Sequence, residues 1–521
     1  MKKLVNLLIV LVLFASCNQG DNEKEYIIKG KIKGYKEGAV QLLKHVNDKN
    51  PKEFPVKNGE FIIKGKAFAE PTELNFNLKG HFARFGFYVE KGLHEYSAEL
   101  IIKKTPYGDM AQLKNGTIRG CIVNDQEKAY RKGINELMYK KYDINKIPKD
   151  QLEEKLAERD RASEEFNIKY VKNHNNEFYS GYVALMLAHG KNAEGIKEIM
   201  DMLDPKLNNQ FTKALKAKYK ELQKTDVDPS KIIKAKNVKY AIDKSFDGKV
   251  LTNVKYLAML RNNNVCALFN DGKIKFIDPK GKVVKEIDPK TKEKVTSICS
   301  HKDVDMIFAL YPLKKEVSRK VRGKIMKYKE CYAYSCKAFN LLGEEVKDFK
   351  LEGITSAFGS RVFDNRLLVS DYNKKSITVF DINSAKEVSE IKGLRPCCLI
   401  LDFSINAKKE ILVANLGAFR VNAFDITGKK LLAFGKRGRG INEFHGCCNP
   451  VSVAYLNSGA IVTVEKDPTR VKIYSNEGAK QVEGIDELVK GCSYIPMIVD
   501  AKDNLYLASP KKGMIKCSAV K

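Results

Sequence analysis

Three cysteines in the C-terminal half of the chain stand at one recurring position. Cys398 lies 13 residues before Ile411, Cys448 13 before Ile461 and Cys492 13 before Leu505, and each of those three residues opens a short apolar run. Two of them are doubled, as Cys397-Cys398 and Cys447-Cys448, so five thiols share one place in a repeat, with His445 beside them in sequence. Three readings of the five stay open. Small apolar residues often fill equivalent core positions, and a free thiol is one of them. Disulfides suit an exported protein. A set of thiolates also selects a soft metal such as copper(I), zinc or an iron-sulfur centre. Cys331 and Cys336, five apart on an apparent strand, point to opposite faces and cannot chelate together without a bend.

Little else in the sequence offers chemistry. No two cysteines have the C-x-x-C spacing of thiol-disulfide exchangers or zinc ribbons, and no P-loop, H-E-x-x-H or G-x-S-x-G occurs. The seven histidines (His45, His81, His94, His174, His189, His301, His445) form no pair at helical or strand spacing. No nucleophile and base can be nominated, so the expectation is a binding protein rather than an enzyme, with no catalytic residue.

The chain has 521 residues, 93 Lys+Arg against 64 Asp+Glu, and a formal charge of +29. That length asks for more than one folding unit. Lysine supplies 78 of the 93 basic residues and is scattered along the chain. Clusters of Arg forks and aromatic platforms, which nucleic-acid readers use, are absent, so no nucleic-acid partner is expected. The charge reads as a solvated surface, with attraction to anionic lipid or acidic polysaccharide as the other use of it.

The elements that would position the thiols follow from the N-terminus onward. Met1-Lys2-Lys3 is a basic start, Leu4 to Phe14 is an apolar stretch too short to span a bilayer, and Ala15-Ser16-Cys17 follows before polar residues. This resembles a bacterial lipoprotein signal over residues 1–16, with Cys17 as the acylated residue and residues 17–24 as a linker. The resemblance implies a membrane anchor. Asn18 is not an inner-membrane retention residue, so the outer membrane is expected, on either its periplasmic or its surface face.

Residues 25–104 alternate as short strands, with an Asn58-Gly59 hairpin signal, and are expected to form a small antiparallel β-sandwich. The order Ile28-x-Gly30-x-Ile32-x-Gly34, then Lys57-x-Gly59-x-Phe61-x-x-Lys64-Gly65, then Phe87-Tyr88-Val89-Glu90-x-Gly92 is similar to a domain of unknown function on envelope lipoproteins of the Bacteroidota type. There it is commonly fused to a thioredoxin-like module. Residues 105–230 take up the helical period, with Leu152, Leu156, Phe166 and Tyr170 on one stripe. Asp204-Pro205 reads as the N-cap and first residue of a helix running to about Leu222. No W-C-x-x-C follows, so the redox activity of the thioredoxin-like module does not carry over.

Residues 235–521 repeat. Phe276-Ile277-Asp278, Phe339-Asn340-Leu341, Phe380-Asp381-Ile382, Phe424-Asp425-Ile426 and Tyr474-Ser475-Asn476 mark successive turns, with a degenerate copy near Lys516-Cys517. Intervals of about 40–60 residues with several strands each are those of propeller blades, and six units predict six blades. The loop Gly435-Lys436-Arg437-Gly438-Arg439-Gly440-Ile441-Asn442-Glu443-Phe444 resembles that of NHL-type propellers, and Tyr311 to Lys329 reads as a basic insertion. Equivalent loops of a propeller converge on one face, which would gather Cys397, Cys398, Cys447, Cys448 and Cys492 at the channel mouth. The expected protein is therefore multidomain: β-sandwich, helical connector, all-β six-bladed propeller. Its expected role is binding an envelope protein or glycan, with a thiolate-bound metal or redox cofactor as the alternative.

Overall fold

The computed structural model describes residues 25–520 apart from 45–47, 49, 106–107, 144–145, 149–150, 302–303, 322–323 and 486. The signal segment, Cys17 and the linker to residue 24 lie outside the described residues. The chain divides into two compact units, residues up to 188 with 198–217, and residues 189–197 with 218–521.

In the first unit the strands are β1 (Glu25–Lys33), β2 (Glu37–Leu43), β3 (Lys52–Lys57), β4 (Glu60–Lys66), β5 (Thr72–Leu78), β6 (Arg84–Val89), β7 (Gly92–Thr105) and β8 (Gly108–Arg119). They form one sheet rather than two layers, in the order β6-β5-β2-β3-β4-β1-β7-β8, with only β1 and β7 parallel. Phe85, on edge strand β6, stacks on Tyr96 of β7 at 4.7 Å, so the sheet rolls until its two ends nearly meet around the core. Strict alternation in β1, from Tyr26 through Ile28 to Ile32, aims its apolar side inward. The sheet continues past residue 104 to Arg119. Edge strand β8 is mostly polar, which is why its alternation is faint in the sequence.

Helices cover Ile122–Asn135, Leu152–Asn173, Phe178–Leu187, Ala193–Asp201 and Gln210–Thr225. The expected start at Asp204 is corrected. Asp204 closes a turn by accepting the Lys206 N–H (2.8 Å). Asn209 caps the helix instead, its Oδ1 taking the N–H groups of Phe211 and Thr212 at 3.0 Å each, while Thr212 Oγ1 accepts from Asn209 N–H. Reciprocal bonding satisfies more orphan amides than a lone Asp-Pro does, so the later of two start signals wins. Among the described residues no helix is long and apolar enough to cross a membrane.

The second unit is a six-bladed propeller. Its blades are four-stranded sheets at residues 254–287, 297–352, 357–391, 403–434, 452–481 and 497–519, the last completed by Tyr240–Ile242. The first strand of each blade touches that of the next around a closed ring. Second strands such as Ile411–Asn415, Ile461–Glu465 and Leu505–Ser509 are buried throughout. Both their faces pack against neighbouring blades, so they read as continuous apolar runs rather than alternating ones. The turn residues cap as expected of Asp: Asp278 Oδ1 accepts from Lys280 and Lys282 N–H, and Asp425 Oδ1 from Thr427 and Lys429 N–H. The basic insertion is a hairpin extension of blade 2, Met306–Val321 paired with Lys324–Asn340.

Side chains fill the axis. Arg361, from the first strand of blade 3, donates to Tyr256 of blade 1 at 2.6 Å and pairs with fully buried Asp402 at 3.3 Å. Its guanidinium lies 5.4 Å from the ring centres of both Tyr256 and Phe403, while Tyr494 packs on Phe358 at 4.8 Å. Residues entering from blades 1, 3, 4 and 6 thus meet in the middle.

Candidate metal centre

The loops that enter the first strands of blades 4, 5 and 6 carry the recurring cysteines. Parallel first strands begin on one face, so these loops converge there. Residues 397–400 make a tight turn, closed by Ile400 N–H on the Cys397 carbonyl at 2.9 Å, with Cys398 at φ +53° and Leu399 at +62°. Two successive non-glycine residues in the left-handed region carry a cost that the surrounding packing must overcome.

The Sγ atoms of Cys398, Cys447, Cys448 and Cys492 all lie within 4.8 Å of one another. Neighbouring pairs are closer: Cys398–Cys448 3.3 Å, Cys447–Cys448 3.3 Å and Cys447–Cys492 3.6 Å. Cys397 lies outside the four but touches Cys398 at 3.5 Å. A tetrahedron of thiolates about 2.3 Å from a zinc ion has sulfurs about 3.8 Å apart, and the separations here, from 3.3 Å to no more than 4.8 Å, bracket that value. Cys448 is fully buried, Cys398 half-buried, and Cys447 and Cys492 are exposed. Cys331 and Cys336 belong instead to a hydrophobic cluster around blades 2 and 3. Cys299 shares that cluster, and Cys121, Cys266 and Cys517 are buried elsewhere.

A residue the sequence did not single out completes the arrangement. Lys466 is 2% exposed, and its Nζ donates to Cys448 Sγ at 3.2 Å and approaches Cys398 Sγ at 3.7 Å. Burial opposes its charge, but the bond to Cys448 and the nearby Cys447 and Cys398 sulfurs outweigh that and hold it protonated. Burial pushes the Cys398 thiol up to about 11 and that of Cys448 up further. Cys492 moves the other way, lowered by hydrogen bonds from Cys398 and Cys447.

The loop carrying Cys447 and Cys448 is clamped to the end of the strand Ile461–Glu465. Asn449 Oδ1 accepts Lys466 N–H at 3.0 Å, and its Nδ2 donates to the carbonyls of His445 (2.9 Å) and Lys466 (3.2 Å). Fully buried Glu465 accepts from His445 N–H (2.9 Å) and Nδ1 (2.5 Å), and pairs with Arg470 (2.7 Å) and Lys472 (2.9 Å). His445 is thus committed to a carboxylate and is not one of the clustered ligands. Glu465 ends, and Lys466 follows, a buried strand that is apolar apart from Thr463, and that placement of two charges was the signal available in the sequence.

Fold and site together define a six-bladed β-propeller protein with a lysine-backed thiol cluster on one face. No protein-family profile matches the chain, and no curated protein matches it. Among solved structures it is similar to a streptogramin B lyase (10% identity over 54% of this chain and 98% of that one, TM-score 0.38). It is also similar to a catalytically inactive virginiamycin B lyase from Staphylococcus aureus with quinupristin (11% identity, 54% and 100% coverage, TM-score 0.38). A likeness at that level carries no argument about activity.

Proposed function

We propose that this is a lipid-anchored cell-envelope protein whose NHL-like propeller binds a soft metal ion through thiolates. The observation that carries the reading is the set of four sulfurs within 4.8 Å, with a buried ammonium beside them. Sulfur-only donor sets favour copper(I), zinc and iron-sulfur centres over hard cations. The residues that would hold the ion are Cys398, Cys447, Cys448 and Cys492, and Lys466 offsets part of the charge the thiolates bring. A metal bound there would sit on the loop face at which a propeller meets its protein or glycan partner.

Metal content by mass spectrometry, with thiol titration, on protein purified without oxygen tests this reading. At least one equivalent of copper, zinc or iron is expected, and it should disappear in the Cys398→Ser/Cys448→Ser/Cys492→Ser variant. Reduced thiols with no metal would refute it. The anchor is tested separately: labelled palmitate should enter the wild-type chain and not Cys17→Ala, and retention of label in the variant removes Cys17 from the proposal.

A further inference from the structure

The geometry points to copper(I) as the ion this site takes, held so that it can be handed on rather than locked in. The inference rests on the thiolate reading above and deepens it by naming the ion and its use.

Five sulfurs are in contact: Cys397–Cys398 at 3.5 Å, Cys398–Cys448 at 3.3 Å, Cys448–Cys447 at 3.3 Å and Cys447–Cys492 at 3.6 Å, with Cys492 also bonded to Cys398. A structural zinc site is a closed shell of four ligands and would leave Cys397 with no part in it. A cuprous ion is satisfied by two or three thiolates. By burial the group holds two overlapping sets of three, an inner one of Cys397, Cys398 and Cys448 and an outer one of Cys448, Cys447 and Cys492, which share the buried Cys448.

Both ligands that only the outer set uses, Cys447 and Cys492, are open to solvent, whereas the inner set is buried or half-buried. Lys466 donates to Cys448, which both sets share, and toward Cys398 of the inner set. A monovalent ion cancels the charge of one of three thiolates, and Lys466 offsets a second, leaving one net negative charge on the half-buried set. The inner ligand Cys448 sits on a loop clamped by Asn449, while Cys492 belongs to a loop with local bonds such as Ser493 N–H to the Gly491 carbonyl. The propeller has its own closure through Tyr240–Ile242, so the ion is not required to complete the ring.

Copper would arrive carried by a low-molecular-weight or protein thiol. It would exchange one ligand at a time: a copper–sulfur bond forms to Cys492 or Cys447, and one to the carrier breaks. The incoming thiol releases its proton to solvent, the displaced thiolate takes one up, and copper remains in the +1 state throughout.

The test uses the reduced, detergent-solubilised full chain without oxygen, loaded with zinc and then challenged with one equivalent of copper(I), bicinchoninate serving as the copper(I) probe. Release of zinc is expected, followed by transfer of copper to bicinchoninate. Lys466→Met should weaken copper retention by roughly 10–100-fold, as loss of a supporting partner does. Cys492→Ser should slow the hand-over and weaken copper retention less than Cys448→Ser does, and stripping the metal should leave the melting temperature in place. Zinc that stays bound against copper(I), or a melting temperature that falls when metal is removed, would overturn the copper inference and leave the thiolate site standing. If neither ion binds to fully reduced protein, both readings fall.

Discussion

Glu465→Gln lowers the melting temperature of the propeller on the order of 10 °C and flattens its acid unfolding. Glu465 is fully buried, and its carboxylate is the shared partner of His445, Arg470 and Lys472. Lys472 is itself fully buried; burial brings it down to about 8. It also donates to the Ile441 and Glu443 carbonyls and lies 4.4 Å from the centre of the Phe444 ring. The substitution keeps the shape and one acceptor but leaves two inward-facing cations without their anion. Removing one partner of a buried ion pair costs about 3–5 kcal/mol.

The pH dependence has a definite sign. Burial opposes the charge of Glu465, yet its bond from His445 and the neighbouring Lys472 and Arg470 hold the carboxyl down at about 2, against 4.5 for an ordinary glutamate. A carboxyl depressed on folding contributes stability that is present above about 4.5 and lost as the pH falls from there toward about 2. Lys472 acts in the same direction in its own window: its depressed value makes stability rise as the pH climbs from about 8 toward 10.5. Thermal melts of the two proteins between pH 2 and 7 decide the matter. Equal melting temperatures at neutral pH, or parallel losses below pH 4.5, would show that the carboxylate does not organise this end of blade 5.

Ala241→Pro opens the ring. The last blade consists of three strands from the C-terminus and a fourth, Tyr240–Ile242, from before the first blade, with Ala241 opposite Ser518. Bonds from Val520 N–H to the Lys239 carbonyl and from Asp243 N–H to the Lys516 carbonyl, both 2.8 Å, bracket that pair. By the two-residue alternation of an antiparallel ladder, the Ala241 N–H faces Ser518. Proline removes that donor and does not fit the ladder. Displacing the strand also exposes Tyr240, now 4% exposed and bonded through its hydroxyl to the Asp503 carbonyl at 3.0 Å. Losing a few ladder bonds at about 1 kcal/mol each and the burial of one large aromatic at about 3 kcal/mol amounts to several kcal/mol. A broadened, earlier thermal transition is expected; a shift of no more than about 2 °C, under roughly 1 kcal/mol, would show that the ring holds without its closing strand.

The thiol cluster was legible because a repeat converts sequence spacing into spatial convergence. Three cysteines each 13 residues before an equivalent strand must arrive at one face once those strands are parallel around an axis. The partners of the cluster were not legible. Lys466 and Asn449 lie outside the repeat pattern, and their contacts depend on a loop of blade 5 folding back on its own second strand. Arg361 and Asp402 stand 41 positions apart and meet only at the axis. The stacking of Phe85 on Tyr96 likewise depends on how far the N-terminal sheet rolls, which alternation alone does not set.

What the sequence determined by itself is therefore periodic or local: blade number, the buried second strands, the Asp-capped turns and the common place of five thiols. Each is written within a few residues or repeated at a constant interval. Ring closure by residues 240–242, the filled axis, the capping of the last long helix by Asn209 and the charge environment of the thiols were decided by tertiary structure. These arise where groups distant in sequence compete for the same buried hydrogen bonds and charges, and burial sets the outcome of that competition.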